Sequence, residues 1–455
     1  MDLADGPWPI DRHRTAISRD RLSAPMQALD RHGLFAEDRS VLDYGCGQGD
    51  DVRALVAAGI RAVGWDPYFA ADVPLEPADI VNLGFVLNVI EDRVERREAL
   101  ARAYGLARQC LAVAGLVVGK GDTTGLQPFK DGFLTRRGTF QKYFRQDELG
   151  AFIAEVLGEE AIAVAHGVFF VFPDKLLEQR FLLERQQRRE AAAVVPVGVG
   201  SPRRAERPAR RQLDPAALAA SSRQRRDDLL VYFALNLFAR RTRYAELPPE
   251  LRRDVKALFG SHARAQEAAR ELLFSVGQGP VIDAACRAAH EHGVGWLAEG
   301  EYLQLPTELL TRLPAALRCY VGCAAKLYGD VETAHLLKIH IRSGKVSLMT
   351  YDQFDSSPLP RLRERIKIDL RAQDIDCYDY SGRPAAPILY LKSRFMAADQ
   401  DGYARQQAFD ESLRQLGLFD FSSFGPEPER FFATLAANGY AVDERAFALF
   451  RRDRE

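Results

Sequence analysis

The chain has 455 residues, 47% of them hydrophobic and 27% charged, and a formal net charge of −1, the make-up of a soluble globular protein of two or three domains. The near-neutral balance excludes a generally basic nucleic-acid binder, so any such affinity must come from local patches. Six cysteines at irregular intervals form no disulfide framework, which suits a reducing cytoplasm; the charged Met1 to Arg14 segment and the lack of an apolar run of ~18 residues predict neither secretion nor membrane spanning.

The first predicted elements are an apolar strand at Val41-Leu42-Asp43-Tyr44, a turn at Gly45-Cys46-Gly47-Gln48-Gly49 and a helix from about Val52 to Ala58. Glycine lets the backbone turn sharply against a ligand, and the helix start presents free N–H groups, so Asp-x-Gly-x-Gly-x-Gly reads as a cofactor loop. It is neither the Gly-x-Gly-x-x-Gly of dinucleotide folds nor a phosphate loop. A second strand, Ile60 to Trp65, ends in Asp66, an acidic position that in a nucleoside-binding βαβ unit takes ribose hydroxyls. A third strand spans Ala78 to Asn82, a helix Arg93 to Leu106, and a buried strand Cys110 to Val118. A basic, glycine-rich loop is expected over residues 119–138, a helix over Gln146 to Leu157, and two short strands joined at Gly167 between Ile162 and Phe172. A helix from Leu176 to Gln187 leads into a Pro/Gly-rich stretch with Arg203, Arg204, Arg207, Arg210 and Arg211. This reads as an interdomain linker whose arginines either are solvated or hold a phosphate backbone.

The second half opens with helices predicted over Asp214 to Phe238, Pro249 to Leu258, Ala263 to Ser275, Pro280 to His292 and Pro306 to Ala325. Strands at Ala334 to Ile341 and Val346 to Tyr351 flank a hairpin turn at Arg342-Ser343-Gly344-Lys345. Arg365 to Tyr380 and Ile388 to Phe395 are further strand candidates, and the tail from Gln406 is helical. The domain boundaries are therefore residues 1–175, a linker over 176–213, and 214–455, for which no motif supplies a chemistry.

Ligands of an open α/β sheet sit beyond the carboxyl ends of its strands, which brings the stretch Asn82 to Asp92 to the reacting centre. Asn82 and Asn88 are candidates there, or else hydrogen-bonding loop residues without catalytic duty. Lys120, Lys130, Arg136, Arg137 and Lys142 interleave with Phe129, Phe133, Phe140 and Tyr143 as base-stacking surfaces do, or line a lid whose rings pack on the domain. Cys319 and Cys323 share a helix face, without further ligands at metal spacing, and read as apolar packing; His335 and His340 face opposite sides of a strand. No metal site is expected. His166 is either a base or a satisfied histidine.

The glycine loop with Asp66 resembles the first motifs of class I S-adenosylmethionine-dependent methyltransferases. That resemblance implies a Rossmann-like α/β domain in which Asp43, Tyr44, Gly45, Cys46, Gly47, Gly49, Asp50, Asp66, Pro67 and Asn82 hold S-adenosyl-L-methionine. Between Asp66 and Ala78 there is no room for the helix and strand this class usually carries, nor for the acidic residue that contacts the adenine amino group, so a truncated sheet edge is expected. Asn82-Leu83-Gly84-Phe85 resembles the Asn-Leu/Pro-Pro-Tyr/Phe signature of amino-methylating nucleic-acid enzymes, with glycine in place of proline. It implies that Asn82 accepts from an exocyclic amine while Phe85 stacks on the base. Alternatively, Val86 to Asp92, including Asn88, resembles a stretch that packs beside the cofactor in small-molecule and peptide methyltransferases. The combination of Arg14 to Arg19, Leu42 to Gly47, Gly64 to Tyr68, Asn82 to Asp92, Gly344 to Leu348 and Tyr390 to Phe395 resembles the DNA phosphorothioation-associated methyltransferases over nearly the whole chain. It implies a bacterial protein of DNA modification and defence, with DNA and other modification or defence proteins as partners. Two other functions stay open: methylation of a peptide or small metabolite, and a non-catalytic cofactor-binding module of a defence complex.

Overall fold

The computed structural model describes residues 10–16, 18–19, 21–35, 38–117, 126–135, 138–187, 215–238, 244–421 and 425–451. The contacts gather into two compact units, one formed by Met1–Glu178 with Ala324–Val331 and Ala372–Asp376, the other by the remaining residues. The arginine-rich part of the expected linker, Lys120, Arg136 and Arg137 lie outside the described residues.

In the first unit, α1 (Ala24–Arg31) precedes β1 (Ser40–Tyr44), α2 (Asp50–Ala57), β2 (Arg61–Trp65), β3 (Ala78–Gly84), α3 (Arg93–Leu106) and β4 (Ala107–Ala114). A small three-stranded sheet follows, β5 (Gln127–Phe129), β6 (Gly132–Leu134) and β7 (Phe140–Gln141), then α4 (Gln146–Leu157), β8 (Ile162–Ala165) and β9 (Val168–Val171). The main sheet runs β2-β1-β3-β4-β9-β8. Strands β1 to β4 are parallel, β9 is antiparallel to β4, and β8 pairs antiparallel with β9. The central strands are mainly apolar because helices cover both faces of a parallel sheet, with Asp43 and Asn82 as buried polar exceptions. Leu42, Val81, Leu83, Leu111 and Val113 form its core with Leu100, Leu149 and Ile153. This is the Rossmann-like class I methyltransferase fold with one edge shortened: residues 66–77 contain neither helix nor strand, and β2 is left at the edge with Val63 half exposed. The shortened edge agrees with the sequence expectation. The loop expected over residues 119–138 differs, since β5 and β6 form a hairpin within it.

That hairpin is tied to the sheet by Arg96 of α3, whose side chain is 2% exposed. Its Nε and Nη2 donate to the Ile90 carbonyl at 3.1 and 2.7 Å, and Nη1 donates to Asp131 Oδ2 at 2.7 Å. The guanidinium also lies over the rings of Phe140 and Phe144. A planar, always-charged group with several fixed donors is the one side chain that serves a carbonyl, a carboxylate and two ring faces together.

After α5 (Lys175–Gln187), the second half begins with α6 (Pro215–Asn236), α7 (Pro249–Phe259), α8 (His262–Ser275) and α9 (Gly279–Glu291), close to expectation. The segment predicted as a helix from Pro306 is different. Strands β10 (Trp296–Ala298) and β11 (Tyr302–Pro306) come first, a 3-10 turn follows, and α10 (Ala315–Tyr328) starts only after Pro314. These strands join β12 (Leu336–His340), β13 (Lys345–Asp352), β14 (Arg361–Asp369) and β15 (Asp374–Asp379) in a six-stranded sheet in that order. The β12–β13 hairpin matches its expected turn. Arg365 to Tyr380 is two strands, not one, and Ile388 to Phe395 is not a strand: it holds a single bridge and a 3-10 turn, with Ile388, Tyr390 and Leu391 buried against Phe409, Phe421 and Phe431, and Leu389 and Phe395 buried against Leu336 and Tyr351. The tail carries α11 (Tyr403–Gln415) and α12 (Pro428–Ala437) but ends in a hairpin, β16 (Tyr440–Asp443) and β17 (Ala448–Arg451).

Candidate functional site

Beyond the carboxyl ends of β1, β2 and β3 lies a cleft of 1250 Å³, large enough for a cofactor together with a second molecule. Its first wall is the β1–α2 loop. Gly45, Gly47 and Gly49 all have positive φ, at 86°, 52° and 77°, and a Cβ on Gly45 would stand 2.3 Å from Val86 Cγ2. The loop is fixed to β2 by Gly45 and Cys46 N–H groups donating to the Trp65 carbonyl at 2.7 and 3.1 Å. Asp66, at the end of β2, fastens it further: Oδ2 accepts from Gly47 N at 3.0 Å, while Oδ1 accepts from Tyr68 and Phe69 N at 2.9 and 3.0 Å. Each carboxylate oxygen keeps acceptor capacity beyond these bonds.

Of the sequence-predicted cofactor residues, Tyr44, Gly45, Cys46, Gly47, Asp66 and Pro67 line the cleft; Asp43, Gly49, Asp50 and Asn82 do not. Gly49 caps α2 in the left-handed conformation. Asp50 accepts from Arg19 N at 2.8 Å and pairs with Arg53. Cys46 holds a thiol pushed up to about 12, by burial first and then by Asp43 and Asp66, so it offers no thiolate nucleophile at neutral pH.

Asn82 takes the hydrogen-bonding place that is one of its readings from sequence and lies away from the cleft. Its β3 register places it directly beside Asp43 of β1, two residues short of the strand end. Its Nδ2 donates to Asp43 Oδ1 at 2.8 Å, and the residue is 2% exposed. The amide therefore serves the carboxylate beneath the loop and does not face the cleft. Asn88 does line the cleft, with Phe85. Asn88 Nδ2 donates to Gln141 Oε1 at 2.9 Å and its carbonyl accepts from Lys142 N at 2.7 Å, so β7 clamps it from both ends. Its Oδ1, like that of Asn82, is buried and has no hydrogen-bond partner among the described residues. Phe85 sits at φ 61°, a conformation costing of order 1–3 kcal/mol that persists at functional sites when surrounding contacts enforce it.

Asp43 is fully enclosed and its carboxyl is pushed up to about 7, by burial first, against the opposing Asn82 bond. A folded-state value above the unfolded one stabilises only while the proton is held, so this contribution is complete below the unfolded value near 4 and lost as pH rises through 7. Asp43→Asn keeps an oxygen for the Asn82 amide and has no proton to lose. Urea denaturation should show the variant gaining ~2–3 kcal/mol on the parent between pH 5 and pH 8, and parallel pH profiles would rule the assignment out.

Several cleft residues were not singled out in the sequence. Arg12 donates to Glu91 Oε2 at 2.9 Å and Glu95 Oε2 at 2.7 Å, closing one side, and His13 stacks on Tyr68 with centroids 4.0 Å apart. Glu95, Glu98 and Arg102 also line the cleft. Their spacing of three and four residues on a helix was the available signal. Lys142 instead pairs with Glu148 at 2.7 Å, and Phe140 is fully buried, so neither serves as a strand-binding surface. Lys130 is exposed. His166 is half-buried, stacks with Tyr328, and has its basicity lowered by burial. No group of three or more metal-ligating side chains occurs among the described residues, and no described helix is long and apolar enough to cross a membrane.

No protein-family model matches the chain, and no curated protein is similar to it. Among solved structures, it is similar to the 1,6-didemethyltoxoflavin-N1-methyltransferase of Burkholderia thailandensis with bound 1,6-didemethyltoxoflavin and S-adenosylhomocysteine. The identity is 13%, the match covers 36% of this chain and 78% of that one, and the TM-score is 0.25. A methyltransferase from Aquifex aeolicus, dependent on S-adenosylmethionine, shows 19% identity over 33% of this chain and 89% of its own, at a TM-score of 0.23. The magnesium protoporphyrin IX methyltransferase of Synechocystis, with bound S-adenosylhomocysteine, shows 13% identity over 36% and 93%, at 0.24.

Proposed function

We propose that the protein is an S-adenosylmethionine-dependent methyltransferase whose acceptor is nucleic acid, in the setting of DNA phosphorothioation and defence that the sequence resemblance implies. The observation that carries the methyl-transfer reading is the convergence on one cleft of the Gly45–Gly47 turn, Asp66 and the Phe85–Asn88 loop at the carboxyl edge of a parallel sheet. Bound there, the cofactor supplies an electrophilic methyl group on a sulfonium. The chain's own contribution is then placement, because aligned reactants need little further catalysis. Asp66 takes the ribose hydroxyls, the Gly45 turn admits the cofactor at close range, Phe85 presents a ring face to the acceptor, and Asn88 Oδ1 accepts from its amine. Asn82 acts through Asp43 as a positioning residue.

A second acceptor class, a peptide or small metabolite, is favoured by one observation. The cleft carries Asp11, Asp66, Glu91, Glu95 and Glu98 against Arg12, Arg19 and Arg102, which suits a cationic cofactor better than a phosphate backbone. Calorimetric titration with S-adenosylmethionine, followed by transfer of labelled methyl to plain and phosphorothioated DNA, tests both readings. Asp66→Ala should weaken cofactor binding at least tenfold, whereas Asn88→Ala should leave it within twofold and lower turnover by about a hundredfold. Equal loss of binding in the two variants would end this division of roles. DNA affinity that falls steeply with salt would favour nucleic acid as the acceptor, and labelled product without DNA affinity would favour the second class.

A further inference from the structure

The C-terminal sheet carries a second cavity, of 290 Å³, that methyl transfer does not use. Strand register sets Trp296 opposite Gln304, Gln304 opposite Lys338, Lys338 opposite Ser347, and Met349 opposite Arg365, so all lie on one sheet face. Seven of the cavity's twenty lining residues are aromatic, Trp296, Tyr302, Tyr351, Tyr380 and Tyr390 among them.

Two arginines also line it. Arg365 has a buried Nε without a hydrogen-bond partner among the described residues. Arg394 lies with its guanidinium 4.7 Å from the Trp296 ring centroid and donates only long bonds, 3.3 and 3.4 Å, to the Phe421 carbonyl. Among the described residues neither arginine has a carboxylate within ion-pair distance, and Glu427 is the single acidic side chain lining the cavity. Two basic side chains under the charge of Arg365 are driven toward their neutral forms. Lys338, fully buried 3.7 Å from the Tyr302 ring centroid, is pushed down to about 7 by burial first and then by Arg365, with Glu301 opposing. His340 is pushed down to about 4 by burial and then by Lys338, Arg365, Lys367 and Lys345.

Two arginines in a largely apolar enclosure with no ion pair among the described residues are costly to hold, and an anion that receives their donors relieves the cost. The cavity is too large and too aromatic for a bare inorganic anion. Planar guanidinium forks suit phosphate oxygens, and ring faces suit a base.

We propose that this cavity binds a nucleoside phosphate, with Arg365 and Arg394 holding the phosphate, the Trp296–Tyr390 ring cluster holding the base, and Gln304 meeting the base edge. The ligand is a free nucleotide or the terminal nucleotide of a single strand; both present the same chemistry. The proposal is independent of the methyl-transfer reading.

The test is calorimetry of the full chain with thymidine 5′-monophosphate and with a 5′-phosphorylated thymidine tetranucleotide, against thymidine alone. A pyrimidine avoids competition for an adenosine-type cleft. One or both phosphorylated probes should bind, thymidine should bind at least tenfold more weakly, and Arg365→Gln and Arg394→Gln should each cost at least tenfold with unchanged thermal melts, Arg365→Lys recovering part of the loss. Binding of the mononucleotide identifies a free ligand, and binding of the oligonucleotide alone identifies a strand end. Should either arginine variant fail to fold, quenching of tryptophan fluorescence by the probe, absent in Trp296→Phe, supplies the same decision. Wild-type affinity in both arginine variants, equal affinity for thymidine, or no binding of either probe at millimolar concentration would overturn the assignment.

Discussion

Gly45→Ala should abolish S-adenosylmethionine binding, with a loss of at least a hundredfold in affinity by calorimetry and a lowered melting temperature. Two costs add at this position. The backbone sits at φ 86°, where an L side chain pays ~1–2 kcal/mol. The new Cβ would stand 2.3 Å from Val86 Cγ2, far inside van der Waals contact, so either Val86 or the turn must move. The turn cannot move alone, because Gly45 and Cys46 N–H groups are both committed to the Trp65 carbonyl and Gly47 N–H to Asp66. Displacement therefore reaches three lining residues and the Asp66 carboxylate together. The double variant Gly45→Ala with Val86→Ala removes the clash and keeps the φ cost, so it should recover part of the affinity. Wild-type affinity in the single variant would refute the role of this turn.

Arg96→Ala should cost about 3 kcal/mol of folding stability, measured by urea denaturation. Breaking a buried ion pair strands its partners, typically at ~3–5 kcal/mol, and the lower end applies because the Asp131 side chain is 39% exposed. The same arginine satisfies the Ile90 carbonyl twice, and Ile90 lines the cleft, so turnover should fall with stability. Arg96→Lys cannot reproduce the fork and should recover less than half of the loss. A cost under ~1 kcal/mol would mean that water replaces the guanidinium at Ile90.

Where local chemistry decided the outcome, the sequence was readable. Helix α3 begins where Asp92 accepts from Val94 and Glu95 N–H groups, and α4 ends where Gly158 takes φ 67°; both helices match their expected bounds. The glycine turn likewise declares itself, since few other residues tolerate the backbone angles of Gly45, Gly47 and Gly49. What stayed hidden depended on distant partners. Ile388 to Phe395 has strand composition, but its apolar side chains are divided between two clusters, one around Phe409 and Phe431 and one around Leu336 and Tyr351, and Leu391 at φ 52° breaks any ladder. Strands β10 and β11 are short, and only the β12 ladder makes them strands. The choice between Asn82 and Asn88 turned on register: one β1–β3 offset sends the first amide to Asp43, which no single-chain motif encodes. The acid-rimmed face of α3 needed Arg12, 79 residues from Glu91, to show its purpose.

The shortened sheet edge bears on molecular discrimination. A fold of this kind with its full edge offers a purine a directed acidic contact; here the rim beyond β2 offers instead the rings of Tyr68 and Phe69, with His13 stacked on the first. Ring faces grip any flat heterocycle with similar strength and do not register which exocyclic group it carries. On the proposed reading, a cofactor in this cleft would be recognised by its sugar and its charge more than by its base. Cofactor analogues altered on the purine should therefore pass as readily as the natural molecule, which makes this cleft permissive at the end farthest from the transferred carbon.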